Sequence, residues 1–188
     1  MIIIYIAEQI KEGGIPLQHQ KIKNLTIASL FAALTCVATM VIQIPSPMTG
    51  YVNLGDCFVL LSGWILGPVY GTLAAGIGSM FSDIFTGYLH FAPGTLIVKS
   101  LITLTASLLF SVMNRNSNHD LIPRIASGIA GEIVMILGYF IYASILLGRG
   151  LAAAASVPGN IMQGIFGVVT AVLIYKLLAR AKILEYMK

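Results

Sequence analysis

The chain has 188 residues, of which 57% are hydrophobic and 10% charged, against about 25% charged residues in an ordinary soluble domain. That excludes a soluble globular enzyme, and the net charge of +4, from 11 basic and 7 acidic residues, gives no reason in so apolar a chain to expect a nucleic-acid partner. Residues 25 to 44 carry no charge at all. They match the roughly 20 apolar residues a helix needs to cross a hydrocarbon core about 30 Å thick, so the sequence reads as an integral membrane protein.

In chain order, residues 1–22 form an N-terminal extension without assignment, and the first seven residues, followed by Glu8, are too short for a signal h-region. Residues 23–188 then hold one membrane domain. Its apolar segments run over 25–44, 57–66, 69–87, 93–113, 122–147 and 156–178, which predicts an all-α bundle of six transmembrane helices. The breaks carry helix-ending residues: Pro45, Pro47 and Gly50, then Gly67 and Pro68, then Gly87 with Pro93 and Gly94. The second segment, at ten residues, would span only about 15 Å. It is expected to extend back through residues 53–56, or to lie tilted and buried among its neighbours. Cys36 and Cys57 have no metal-ligand or disulfide spacing and read as packing residues.

Basic residues gather in short loops on the cytoplasmic side. With the N-terminus inside, Lys11, Lys21, Lys23, Arg115, Arg124, Lys176, Arg180, Lys182 and Lys188 all fall inside, and only Lys99 and Arg149 lie toward the outside. Both termini are therefore expected in the cytoplasm, with outer loops at 45–56, 87–93 and 148–156.

Charge inside a span is costly, by about 2.5–3.5 kcal/mol at the bilayer centre, and marks a pathway or a site. Asp56, Asp83 and Lys99 fall in the outer half, with Glu132 near the midplane; Tyr51, Asn53, Tyr88, His90, Asn160 and Gln163 can join them. Asp56 also fits a helix N-cap, and Asp83 with Lys99 fits a structural ion pair. Glu132 needs either a proton or a donor; its face, through Gly128, Met135, Tyr139 and Tyr142, suits an organic ring or plain packing. Small residues at four-residue spacing let helices approach closely in lipid. Gly67, Gly71, Ala75 and Ser79 make such a face leading to Asp83, the sixth helix repeats it at Gly159, Gln163, Gly167 and Ala171, and the first helix has Ala28 with Ala32 and Ser29 with Ala33.

The sequence contains no GxxxxGK[ST] phosphate loop, no HExxH, no GxSxG and no Cys and His cluster. No catalytic function, ATP hydrolysis included, is expected of it, and it shows no three-plus-three inverted repeat of the kind common in secondary transporters. The segment IPSPMTGYVNLGDCFVLLSGWILGPVYGTLAAGIGSMFSDIFTGY, followed by FAPGTLIVKSL, resembles the membrane-embedded S component of energy-coupling factor (ECF) vitamin transporters, most closely the riboflavin-type subgroup. The likeness covers about residues 23–180, and its most specific strings are GY-x-NxGD at residues 50–56 and PGT-xxx-K at residues 93–99.

That resemblance implies a subunit in the bacterial cytoplasmic membrane that captures a water-soluble vitamin (riboflavin, pyridoxine or a thiamine pyrimidine) at the outer face, beneath residues 45–56. It implies as partners an ECF transmembrane coupling subunit, met by Ala28 and Ala32, and two ABC-type ATPases that use the ATP, with no cofactor or metal in this chain. The expected polar set around the ligand is Asn53, Asp56, Asp83, Lys99, Glu132, Asn160 and Gln163, with Tyr51, Tyr88 and Tyr139 as aromatic walls. Competing readings are a stand-alone ion-coupled or facilitative carrier using Asp83 and Glu132, and a membrane enzyme or scaffold without ligand.

Overall fold

The computed structural model describes residues 15–46, 50–115 and 120–187. Helix α1, Ile15–Val41, leads into a β-hairpin of β1 (Gln43–Ser46) and β2 (Gly50–Asn53), followed by α2 (Gly55–Phe85), α3 (Ala92–Asn114) and α4 (Leu121–Ile141). A π-helical turn, Tyr142–Leu146, and a 3-10 segment, Gly150–Ser156, lead into α5 (Val157–Arg180) and the short α6 (Ile183–Met187). The first helix thus starts earlier than expected and runs through position 23, while residues 1–14 of the extension lie outside the described residues. It ends earlier too, because Gln43 to Ser46 pair antiparallel with Asn53 to Gly50. The chain is mostly helical, as an all-α membrane protein is expected to be, with this short hairpin added between the first two helices.

The second and third expected helices form the two limbs of α2. Gly67, at φ 76° and ψ −173°, breaks the helix, a backbone conformation open to glycine, and Pro68 starts the second limb, where its missing N–H costs nothing. The chain reverses sharply there. The Ser62 hydroxyl donates to the Gly71 carbonyl at 3.2 Å, although nine residues of straight helix would separate the two by about 13.5 Å. Gly71 permits this approach, since a Cβ there would sit 2.5 Å from the Ser62 carbonyl oxygen.

The first limb, residues 55–66, starts two residues earlier than the apolar run and is buried almost throughout, with Val59, Leu60 and Leu61 in the core. At about 18 Å it is too short to cross a bilayer alone. Among the described residues, five stretches are long and apolar enough to do so: His19–Val41, Gly55–Phe85, Ala92–Asn114, Leu121–Leu146 and Gly150–Arg180. Their outer faces carry exposed apolar residues such as Val69, Ile97, Ile133 and Leu173, which in water would be a liability and in lipid are ordinary.

Helix α1 packs mainly on α2. Ala28 is buried in the chain's own core, and Ala32 turns its carbonyl toward Gly78, where a Cβ would come within 2.4 Å. Of the two small pairs on α1, Ser29 and Ala33 are exposed, Ala32 is half-buried and Ala28 is buried.

One end of the bundle is closed by a buried cation. Arg124, 4% exposed, has its guanidinium carbon 3.3 Å from the Tyr175 ring centre, 4.2 Å from Phe110 and 5.6 Å from Trp64. Its Nε and Nη2 donate to Asp120 at 3.2 and 3.1 Å, and the Trp64 indole N–H donates to Ser127 at 3.1 Å. The sequence counted Arg124 on the inner side at the start of the fifth span; the structure buries it there, where four helices meet.

Candidate ligand-binding site

At the other end, every long helix contributes to the lining of one open-mouthed cavity. Thr39 comes from the end of α1, Ser79 and Asp83 from the end of α2, Thr95 and Lys99 from the start of α3, Tyr139 from the end of α4 and Gln163 from the start of α5. Because α1, α2 and α4 reach the cavity with their C-terminal ends and α3 and α5 with their N-terminal ends, Ile15 and Arg180 both lie at the opposite end, with Arg124.

The floor is a buried network. Lys99 Nζ donates to Asp56 Oδ1 in an ion pair in which both side chains are 3% exposed or less. Gln163 Nε2 donates to Asp56 Oδ2 at 2.6 Å, and Gln163 Oε1 accepts from the Asn53 backbone N–H at 2.9 Å and from Asn53 Nδ2 at 3.3 Å. Asn53 Oδ1 in turn accepts the Gly55 N–H at 2.8 Å. Both motif strings thus acquire physical reasons. In NxGD, Asn53 shapes the turn, Gly55 leaves room beside Thr39, whose Oγ1 a Cβ would meet at 2.0 Å, and Asp56 holds the lysine. In PGT-xxx-K, Pro93 sits in the first turn of α3, Gly94 seats the Tyr142 ring, Thr95 accepts from the Tyr139 hydroxyl at 3.1 Å, and Lys99 reaches Asp56.

Two sequence expectations change here. Asp56 lies in the first turn of α2, yet its side chain serves Lys99 and Gln163 rather than capping the helix. The ion pair of Lys99 forms with Asp56, not with Asp83. Asp83 lines the cavity higher up, and its carbonyl accepts the Tyr88 N–H at 2.8 Å.

Lys99 also donates to Met135 Sδ at 3.4 Å and lies 5.6 Å from the Tyr139 ring centre. Asn160 joins the lining. Glu132 is buried just below, its carboxyl in a notch of α5 where a Cβ at Gly164 would come 3.3 Å from Oε2 and one at Gly167 3.2 Å from Oε1. It supports the floor without lining the cavity, as does Asp56. Tyr88 is outside the lining, its ring 6.3 Å from that of His90. Tyr51 is described through its strand pairing with Pro45, and its side chain lies outside the described residues.

The mouth holds residues the sequence reading passed over. Phe91 and Arg149 face each other there, with 5.3 Å from the guanidinium carbon to the ring centre, and Ala143 and Ser156 complete the wall. The one available signal was that Phe91, Arg149 and Ser156 fall in expected outer loops. Among the described residues no group of three or more His, Cys, Asp or Glu could hold a metal ion. A cavity of this kind can hold a compact, polar, ring-containing molecule by hydrogen bonds from Lys99, Gln163, Asn160 and several hydroxyls, against the Phe91 and Tyr139 rings.

Comparison with known proteins places this architecture. A solved structure described as "Structure and mechanism of the S component of a bacterial ECF transporter" superposes with a TM-score of 0.65 at 22% identity, covering 85% of this chain and 97% of that one, which establishes a shared fold. A Pyrococcus woesei protein described as "Uncharacterized protein in gap 3'region" is 34% identical over 135 residues, 71% of this chain and 86% of the relative. The family model for the "ECF-type riboflavin transporter, S component" matches residues 19–180. The chain belongs to this family of ECF transporter S components.

Proposed function

We propose that this chain is the vitamin-capturing subunit of an ATP-driven importer in a cytoplasmic membrane, taking a riboflavin-like molecule into the cavity from outside. The observation that carries the reading is the Lys99–Asp56–Gln163–Asn53 network, which sets fixed donors at the floor of an open cavity. The Ile15 end of α1 and the Arg180 end of α5 lie opposite the mouth, as do the ends of α3 and α5 that carry Arg115, Lys176, Arg180 and Lys182, so the positive-inside rule favours a mouth that faces outward. Energy comes from partners: a transmembrane coupling subunit and two ABC-type ATPases. In this proposal the coupling subunit docks on α1 at Ser29 and Ala33, where small side chains permit close helix approach.

The test is riboflavin titration of the purified chain in detergent, followed by tryptophan and flavin fluorescence, with native mass spectrometry of the same sample. One riboflavin bound per chain, without ATP hydrolysis, is expected. Failure to bind riboflavin, pyridoxine or thiamine pyrimidine would overturn the reading, and uptake by vesicles holding this chain alone would replace it with a stand-alone carrier.

A further inference from the structure

The cavity wall between Phe91 and Arg149 is held together by a residue that does not itself line the cavity. Tyr142 is the first residue of the π-helical turn at the end of α4, and such turns recur at functional sites because they re-aim side chains. Its hydroxyl donates to the His90 carbonyl at 2.7 Å. Its ring lies flat against Gly94, where a Cβ would come within 2.6–2.7 Å of three ring atoms. Residues beside each contact line the cavity: Phe91 next to His90, Thr95 next to Gly94, Ala143 next to Tyr142. The same turn carries the facing side, because the Arg149 N–H donates to the Ala143 carbonyl at 3.1 Å while its guanidinium stacks over Phe91. The 86–91 loop is thereby fastened to the outer end of α4, and its own turn is closed by Phe91 N–H to Tyr88 carbonyl at 2.8 Å.

We propose that Tyr142 is a positioning residue that locks this wall of the mouth and so sets how slowly a bound ligand leaves. The proposal rests on the reading of the cavity as a vitamin site. Tyr142 contacts the wall and does not itself line the cavity, so its loss acts on escape through a loosened rim and leaves the floor donors in place. The glycine of the PGT string is then explained by the latch, since a larger residue at position 94 would unseat the ring.

The experiment uses the full chain in detergent with riboflavin as probe. Tyr142→Phe keeps the ring on Gly94 and removes one hydrogen bond; dissociation followed by stopped-flow fluorescence is expected to speed up about 2- to 10-fold, the worth of a single hydrogen bond. Gly94→Ala, which displaces the ring itself, is expected to exceed that change. Amide hydrogen exchange without ligand provides an independent arm: exchange at Tyr88 and Phe91 is expected to rise in Tyr142→Phe while exchange across α3 and α4 does not. Unchanged exchange at those two amides overturns the latch, as does a dissociation rate equal to wild type. Absence of riboflavin binding to the wild-type chain would instead remove the vitamin reading, leaving the exchange arm to decide the latch.

Discussion

The two ends of the bundle each bury one cation, and they handle it in opposite ways. Lys99 is neutralised by Asp56, a carboxylate 0% exposed, and tied through Gln163 to the β2 strand, beneath an open cavity. Arg124 is sheltered by three aromatic rings, and its carboxylate partner Asp120 is half exposed. An ammonium is a compact point charge with donors to spare, whereas a guanidinium is planar and stacks on rings. The lysine end presents a polar floor that a ligand can engage, and the arginine end forms a plug. In the proposed function the lysine end is where ligand would be captured, and the arginine end is packed shut around Arg124.

Removing one partner at the lysine end should have the largest effect. Lys99→Ala strands Asp56 without water or a counter-charge, which typically costs about 3–5 kcal/mol, so a steep fall in melting temperature together with lost riboflavin binding is expected. Replacing both charges, Lys99→Met with Asp56→Leu, should recover most of the stability and none of the binding, as buried pairs often exchange for apolar ones at little cost. At the arginine end, Arg124→Met gives up ring contacts worth about 2 kcal/mol when desolvated, so thermal stability should drop while riboflavin affinity holds. A loss of affinity there would show that the ends are coupled.

Gly167→Ala tests the support below the floor. Its Cβ would lie 2.8 Å from that of Asp56, and overpacking of this kind costs about 1–3 kcal/mol, so weaker binding measured by fluorescence titration is expected. The smallest effect on the isolated chain is expected for Ser29→Leu with Ala33→Leu on the exposed face of α1, where surface changes stay within about 0.5 kcal/mol. In cells or vesicles with the coupling subunit and ATPases, the same pair should abolish riboflavin uptake.

The sequence made the order of helices, the break at Gly67 and Pro68, and the small-residue face leading to Ser79 and Asp83 readable, because each follows from local chemistry. It also named most of the floor, since charged and amide side chains in apolar runs have few other reasons to be there. The partner of Lys99 was not readable. Asp83 is nearer along the chain, yet the reversal at Gly67 brings Asp56 alongside Lys99, a consequence of how two limbs fold together rather than of any single helix face. The surroundings of Arg124 were not readable for the same reason: Trp64, Phe110 and Tyr175 come from three other helices, and their convergence leaves no periodic trace. The β-hairpin was hidden by Pro45 and Pro47, which read as a loop, although a two-stranded ribbon consists of edge strands where proline is tolerated.

The most direct measurement of the central claim, that the buried lysine network is the floor of a capture site, is riboflavin titration of wild type beside the Lys99→Met/Asp56→Leu chain, both shown to be folded by their melting curves. Stoichiometric binding by wild type and none by the folded double variant is the expected result. Equal binding by the two would contradict the account and move the ligand away from Lys99.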